Sequence, residues 1–165
     1  MNKIPITCKV ELHIPIAEVH EFQRQLKELR PEEFDKLKAS ILQHGYAFPC
    51  FVWRNIETGQ WMTIDAHQRN RVCRKLIEEG YTIGEDNRIP CAEILAVNEA
   101  AAAEKILLCS SRFGQITEEG LHDFLEHYQI KLDDLGQMIE IPEINLQEFQ
   151  ENYYPDPAKQ GLTDP

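Results

Sequence analysis

Apolar residues recur at every second position over residues 4 to 14, where Ile6, Cys8, Val10 and Leu12 share a face. That period predicts one strand bracketed by Pro5 and Pro15, since proline suits strand ends and edges. A polar stretch with single apolar anchors at Val19, Phe22 and Leu26 follows. Pro31-Glu32-Glu33 opens a helix, with proline at the first helical position and acids in the first turn. Phe34, Leu37, Ile41 and, on the flank, Leu42 form its apolar stripe, and Gly45 closes it. Residues 48 to 53 read as a buried strand, Glu57-Thr58-Gly59-Gln60 as a turn, and Trp61 to Asp65 as the return strand of a hairpin. At Asp65-Ala66 the period changes from two to 3.6, and Val72, Cys73, Leu76 and Ile77 form one side of a helix that ends at Gly80. Asp65 is the expected N-cap of that helix.

Residues 81 to 88 read as loop, 89 to 96 as a further strand, and Asn98 as the cap of an alanine-rich helix over 99 to 109. From Thr117 the pattern predicts three short helices: one with Leu121, Phe124 and Leu125 inward, one over 132 to 139, and one capped by Asn145 and running through Phe149. Residues 155 to 165 have the proline and glycine content of a linker.

Charge sharpens this division. The formal net charge is −11, but residues 117 to 165 hold 12 acids against Lys131 and Lys159, a net of −10, which leaves residues 1 to 116 near neutral at −1. Two short consecutive helices invite a helix-turn-helix reading, which Glu118, Glu119, Asp123, Glu126, Asp133 and Asp134 oppose, because a recognition helix meets phosphates. A local basic site at Arg69, Arg71, Arg74 and Lys75 can persist in the near-neutral part. The five cysteines are an odd number without a Cys-x-x-Cys pair, and three sit in apolar patterns. No metal site follows from that spacing. With no apolar run near the roughly 18 residues of a membrane span, and no leader, the expectation is a reduced cytoplasmic protein.

The chemistry concentrates where the hairpin turns into the helix. The first turn carries His67, Gln68, Arg69 and Arg71, donors and cations in place of the carboxylates that a helix N-terminus favours. Such a turn is favourable around a bound anion and reads as a phosphate seat; the alternative is a solvated turn whose arginines pair with nearby acids. Lys36 and Ser40 lie one turn apart on the preceding helix.

Asp65-Ala66-His67-Gln68-Arg69 resembles, at four of five positions, the Asp-Gly-His-Gln-Arg turn of the ParB-like N-terminal domain found in phage and prophage DNA methyltransferases. The likeness extends over about residues 20 to 155, through His44-Gly45-Tyr46-Ala47-Phe48-Pro49, Glu79-Gly80-Tyr81, Leu107-Leu108-Cys109-Ser110-Ser111-Arg112-Phe113-Gly114 and Thr117-Glu118-Glu119-Gly120-Leu121. It implies an α+β fold of the ParB/sulfiredoxin type, a small mixed sheet flanked by helices with a short helical C-terminal extension. The expected division is a core over 1 to 116, an acidic helical cap over 117 to 154 and a linker over 155 to 165. It also implies a nucleotide site in which Arg69 clamps phosphate, Gln68 orients it, Ala66 and His67 line the turn, and Lys36 and Ser40 reach across. Ser110, Ser111 and Arg112 take the place of a second phosphate-contacting segment, although their types depart from the ParB pattern Glu-Asn-x-Gln-Arg. Ala66 departs too, since glycine is usual there.

The function so implied is a nucleotide-binding, DNA-associated regulatory module of a phage-type modification system. Its cofactor would be a nucleoside triphosphate with Mg, and its partners a methyltransferase domain downstream or in trans, DNA contacted weakly or indirectly, and a second copy of the chain. Arg71, Arg74 and Lys75 are the DNA-facing candidates. Neither a glycine-rich cofactor loop nor a Pro-Pro-Tyr or Pro-Pro-Trp motif occurs, so these residues do not methylate. Sulfiredoxin chemistry needs a cysteine where His67 stands. Phosphotransfer, with Asp65 or His67 as base, stays open; so does a scaffold with a decayed site. A nuclease would need clustered carboxylates, and Asp65 stands alone in the motif.

Overall fold

The computed structural model describes residues 2–24 and 26–158, so the final residues of the expected linker, 159 to 165, lie outside the described residues. The chain divides into two compact units, one up to Ser111 and one from Arg112 onward.

The first unit is built on a five-stranded mixed sheet. Its strands are β2 (Leu12–Pro15), β3 (Val19–His20), β4 (Cys50–Arg54), β5 (Trp61–Asp65) and β7 (Arg88–Glu93), in the spatial order β2-β7-β4-β5-β3. The expected hairpin is the antiparallel pair β4–β5, with Trp53 opposite Met62 and a register shift between Phe51 and Val52. A separate parallel pair joins β1 (Asn2–Ile4) to β6 (Tyr81–Ile83). The single strand expected over 4 to 14 is therefore two, with Ile6 bridging to Tyr46 between them, and part of the expected 81–88 loop is a strand. Three-residue strands leave too short a pattern to separate from loop by periodicity. Pro90 sits inside the interior strand β7, one residue before its ladder with β4 begins at Cys91, so the missing N–H removes no bond on that side.

Alternate residues of β4 feed two apolar layers, as a pleated strand requires. Cys50 and Val52 enter the main core with Ile41 of α1 (Pro31–His44) and Val72, Cys73 and Leu76 of α2 (His67–Glu78). Phe51 and Trp53 face the other way and pack with Ile64 against Ala102 and Ile106 of α3 (Glu99–Ser110). In the second unit, α4 (Glu118–Tyr128), α5 (Leu132–Leu135) and α6 (Leu146–Tyr153) enclose Leu121, Leu125, Leu132 and Phe149. Phe124, expected inward, is 52% exposed, because the buried face of α4 is set by Leu121 and Leu125 and Phe124 lies one position off it.

Two backbone positions fix how the chain enters and leaves these elements. Gly45 ends α1 at φ 75°, and a Cβ there would stand 2.2 Å from the Pro5 carbonyl oxygen. Ala66 holds φ 89° and ψ 21°, the left-handed region that costs an L-residue about 1 kcal/mol. Gly45→Ala is expected to destabilise the chain by about 2 kcal/mol or more, whereas Ala66→Gly should stabilise it by about 1 kcal/mol, both read as shifts of the urea midpoint at unchanged m-value.

Candidate functional site

The left-handed turn at Ala66 decides the geometry of the site. Asp65 was expected to cap α2, but Ala66 holds the N-cap position and no side chain caps the helix. The Asp65 carbonyl instead accepts from the Cys50 thiol at 3.3 Å. A sharp turn one residue later than expected leaves Asp65 outside capping reach. Among the described residues the first N–H groups of α2 therefore meet no side-chain acceptor, and they carry the partial positive charge of a helix N-terminus.

A buried polar relay anchors this end of α2. Asn70, 0% exposed, accepts from the Tyr46 hydroxyl at 2.8 Å and donates to Cys50 Sγ at 3.5 Å. Each member of the relay is satisfied, the condition under which buried polar groups rigidify rather than destabilise. The Arg69 guanidinium lies 5.0 Å from the Tyr46 ring centroid and 6.0 Å from that of Phe48, and donates to the Phe48 carbonyl. Among the described residues it pairs with no carboxylate, so its charge is held by aromatic faces and not neutralised.

In front of the α2 N-terminus lies a small pocket of about 180 Å³, lined among others by Asp65, Ala66, His67, Gln68 and Arg69. Its other wall is Gln23 and Lys27, with Ile106 and Ser110 of α3. Helix α2 itself fastens that wall: His67 Nε2 accepts from the Phe22 N–H at 3.2 Å, and Gln68 Nε2 donates to the Lys27 carbonyl at 3.4 Å. Sequence reasoning missed Gln23 and Lys27, because they stand in an aperiodic stretch with nothing to place them opposite the motif. Gln23 is 6% exposed, and its Nε2 finds no acceptor among the described residues. Orphaned buried donors of this kind are rare and mark a place where a partner belongs.

The structure brings together Ala66, His67, Gln68, Arg69 and Ser110 of the expected phosphate-binding set, along with Asp65. Lys36 and Ser40 are half-buried on α1 and do not line this pocket. Ser111 is the C-cap of α3, and Arg112 belongs to the second unit, where it pairs with Glu143 at 3.0 Å. Of the DNA-facing candidates, Arg71 grips both carboxylate oxygens of Glu21, and this hydrogen bonding holds the Glu21 carboxyl below its ordinary value. Arg74 donates to the Val19 carbonyl at 2.6 Å and Lys75 pairs with Glu78 at 3.1 Å. Two of these three cations thus hold the segment before the pocket onto α2.

Burial pushes the His67 imidazole down to about 4, with the neighbouring Glu21 opposing this. The ring is neutral at pH 7, and because Nε2 accepts from Phe22, the proton sits on Nδ1. Its basic lone pair is therefore engaged, which leaves His67 only a donor nitrogen. Cys73 is buried and its thiol is pushed up to about 12 by desolvation, as befits a core residue. The cysteines at 8, 50, 73, 91 and 109 are all free. No group of three or more metal-ligating side chains occurs among the described residues, and no described helix is long and apolar enough to cross a membrane.

No protein-family model and no curated protein matches the chain. Among solved structures it is similar to the C-terminally truncated chromosome-partitioning protein ParB from Caulobacter crescentus complexed with CTP-gamma-S. The TM-score is 0.57 at 15% identity, over 77% of this chain and 69% of that one. The same truncated ParB complexed to the centromeric parS site is matched with a TM-score of 0.45 at 13% identity, over 92% of this chain and 77% of that one. The first likeness establishes the fold: this is an α+β chain of ParB-like architecture, a small mixed sheet flanked by helices.

Protonation of His67 leaves Nε2 with no lone pair for Phe22. The group titrates near 6.5 when unfolded and near 4 when folded, so the unfolded state binds more protons between those values. Stability should therefore fall as pH drops from 6.5 to about 4, by on the order of 2 kcal/mol once partial solvation of the ring is allowed for. His67→Gln keeps an acceptor that does not titrate, and urea midpoints at pH 7 and pH 4.5 should show a smaller acid loss for the variant than for the parent chain.

Proposed function

We propose that the first unit binds a nucleoside triphosphate by its phosphates at the N-terminus of α2, and that the chain works as a nucleotide-responsive regulatory module of a DNA modification system. The observation that carries this is the uncapped α2 N-terminus opening on a pocket flanked by Lys27 and Arg69, with no acid paired to Arg69 among the described residues. Backbone donors, a helix dipole and two cationic residues along the lining of one small volume suit a phosphate group. The similar ParB structure was obtained with CTP-gamma-S, which supports a nucleotide as ligand.

In this reading Arg69 clamps phosphate, Gln68 and His67 donate to it, and Lys27 replaces the reach assigned to Lys36 and Ser40. Asp65, the one carboxylate among the lining residues, fits a Mg ion arriving with the phosphates, because such ions take one or two carboxylates together with substrate oxygens. DNA association is indirect and runs through a methyltransferase partner, since Arg71 and Arg74 are committed within the fold and the second unit is strongly acidic. Phosphotransfer is the weaker reading, because the His67 lone pair is engaged by Phe22 and Asp65 is left as the one candidate base. A scaffold that keeps the turn only as structure is the remaining alternative.

Arg69→Ala removes a charge-assisted phosphate contact and should weaken triphosphate binding roughly 10- to 150-fold, measured by calorimetry with Mg present. A parent chain that is folded yet silent toward all four nucleoside triphosphates would establish the scaffold instead.

A further inference from the structure

Resting on the nucleotide reading, we propose that this pocket recognises a polyphosphate chain in its own right, with Gln23 as a ligand-contacting residue and the nucleoside lying outside. Size is the first argument. Pockets that enclose drug-sized molecules run to about 300–1,000 Å³, and this one measures about 180 Å³. It has room for phosphate groups and not for a base and ribose as well.

The composition of the lining is the second argument. Among the side chains that line the pocket, Lys27 and Arg69 can only donate, His67, Ser110 and the amides of Gln23 and Gln68 can donate, and Asp65 is the one carboxylate. A nucleobase needs donors and acceptors in a set order, and acceptors are in the minority here: beside Asp65 there are the Ser110 hydroxyl and the Gln23 amide oxygen, while the Gln68 oxygen already accepts from Arg71.

Gln23 is the third and independent argument. Gln23 is more than nine-tenths buried, lines the pocket, and carries an Nε2 without an acceptor among the described residues, whereas its neighbours are held by the Arg71–Glu21 ion pair, the Phe22 N–H on His67 and the Lys27 carbonyl on Gln68. A phosphate oxygen supplies the acceptor that the protein does not. Because Gln23 is neutral, its contribution is directional and survives high salt, unlike that of Lys27.

The test is calorimetry on the full chain with inorganic triphosphate, ATP, CTP, GTP and UTP, each with Mg, on the parent chain and on Gln23→Leu and Gln23→Glu. Thermal unfolding checks that each variant is folded, and Gln23→Glu preserves side-chain size if the leucine variant is not. The expected result is that inorganic triphosphate binds within about 10-fold of the nucleotides, and that the nucleotides differ from one another by less than about 10-fold. Gln23→Leu should weaken all ligands alike by about 10-fold, and Gln23→Glu by more. If nucleotides bind but inorganic triphosphate does not, or one base is preferred 100-fold, the polyphosphate assignment is overturned while phosphate binding at α2 stands. If triphosphate binds equally well to the parent and both variants, the role of Gln23 is overturned. If nothing binds, both this assignment and the nucleotide reading fall.

Discussion

The left-handed conformation of Ala66 is the constraint on which the site depends. It turns the chain abruptly from β5 into α2, so that the helix begins at His67 without a side-chain cap and its N–H groups face a pocket. An aspartate cap at that place would have stabilised the helix and neutralised the anion site at once. The chain forgoes that cap and holds the helix from below, through Tyr46, Asn70 and Cys50, whose hydrogen bonds do not touch the N-terminal donors. Strain at Ala66 and the unpaired charge of Arg69 thereby stand at the same end of the helix.

The second wall of the pocket depends on the same helix. Arg71, Arg74, His67 and Gln68 each reach back from α2 to Ile16, Val19, Glu21, Phe22 and Lys27, so that hydrogen bonds add to the apolar anchors Ile16, Val19 and Phe22 in positioning that side of the pocket. Cations that look from the sequence like a surface for nucleic acid are the fastenings of that wall. Glu21 is what separates the two readings, since it pairs with Arg71 through both carboxylate oxygens and its carboxyl is held below the ordinary value by that pairing. The pocket is thus a product of tertiary contacts between one well-formed helix and one loosely structured strip.

What was legible in the sequence follows from this. The β4–β5 hairpin, the change of period at residue 65 and the apolar faces of α1 and α2 are local patterns, and they appear in the structure where periodicity places them. The expected Asp65 cap did not form because a one-residue change in where the chain turns is invisible to propensity, and the β1–β6 pairing joins residues nearly eighty apart through strands of three residues. Gln23 carries no periodic or motif signal, and Lys27 stands in Leu26-Lys27-Glu28-Leu29, a stretch in which the resemblance assigns no site residue. The clue that was available is that Phe22 is an isolated apolar anchor, and an anchor beside a polar residue can carry that residue inward. Phe22 does pack with the layer under α3, next to Trp53.

The central claim is that the free N–H groups at the start of α2 hold phosphate. Hydrogen exchange of backbone amides reports on those groups directly, with and without saturating triphosphate and Mg. The account predicts slowed exchange at His67, Gln68 and Arg69, together with Phe22 to Lys27, and little change in the second unit. Unchanged exchange at residues 67 to 69 while protection appears elsewhere in the chain would contradict it.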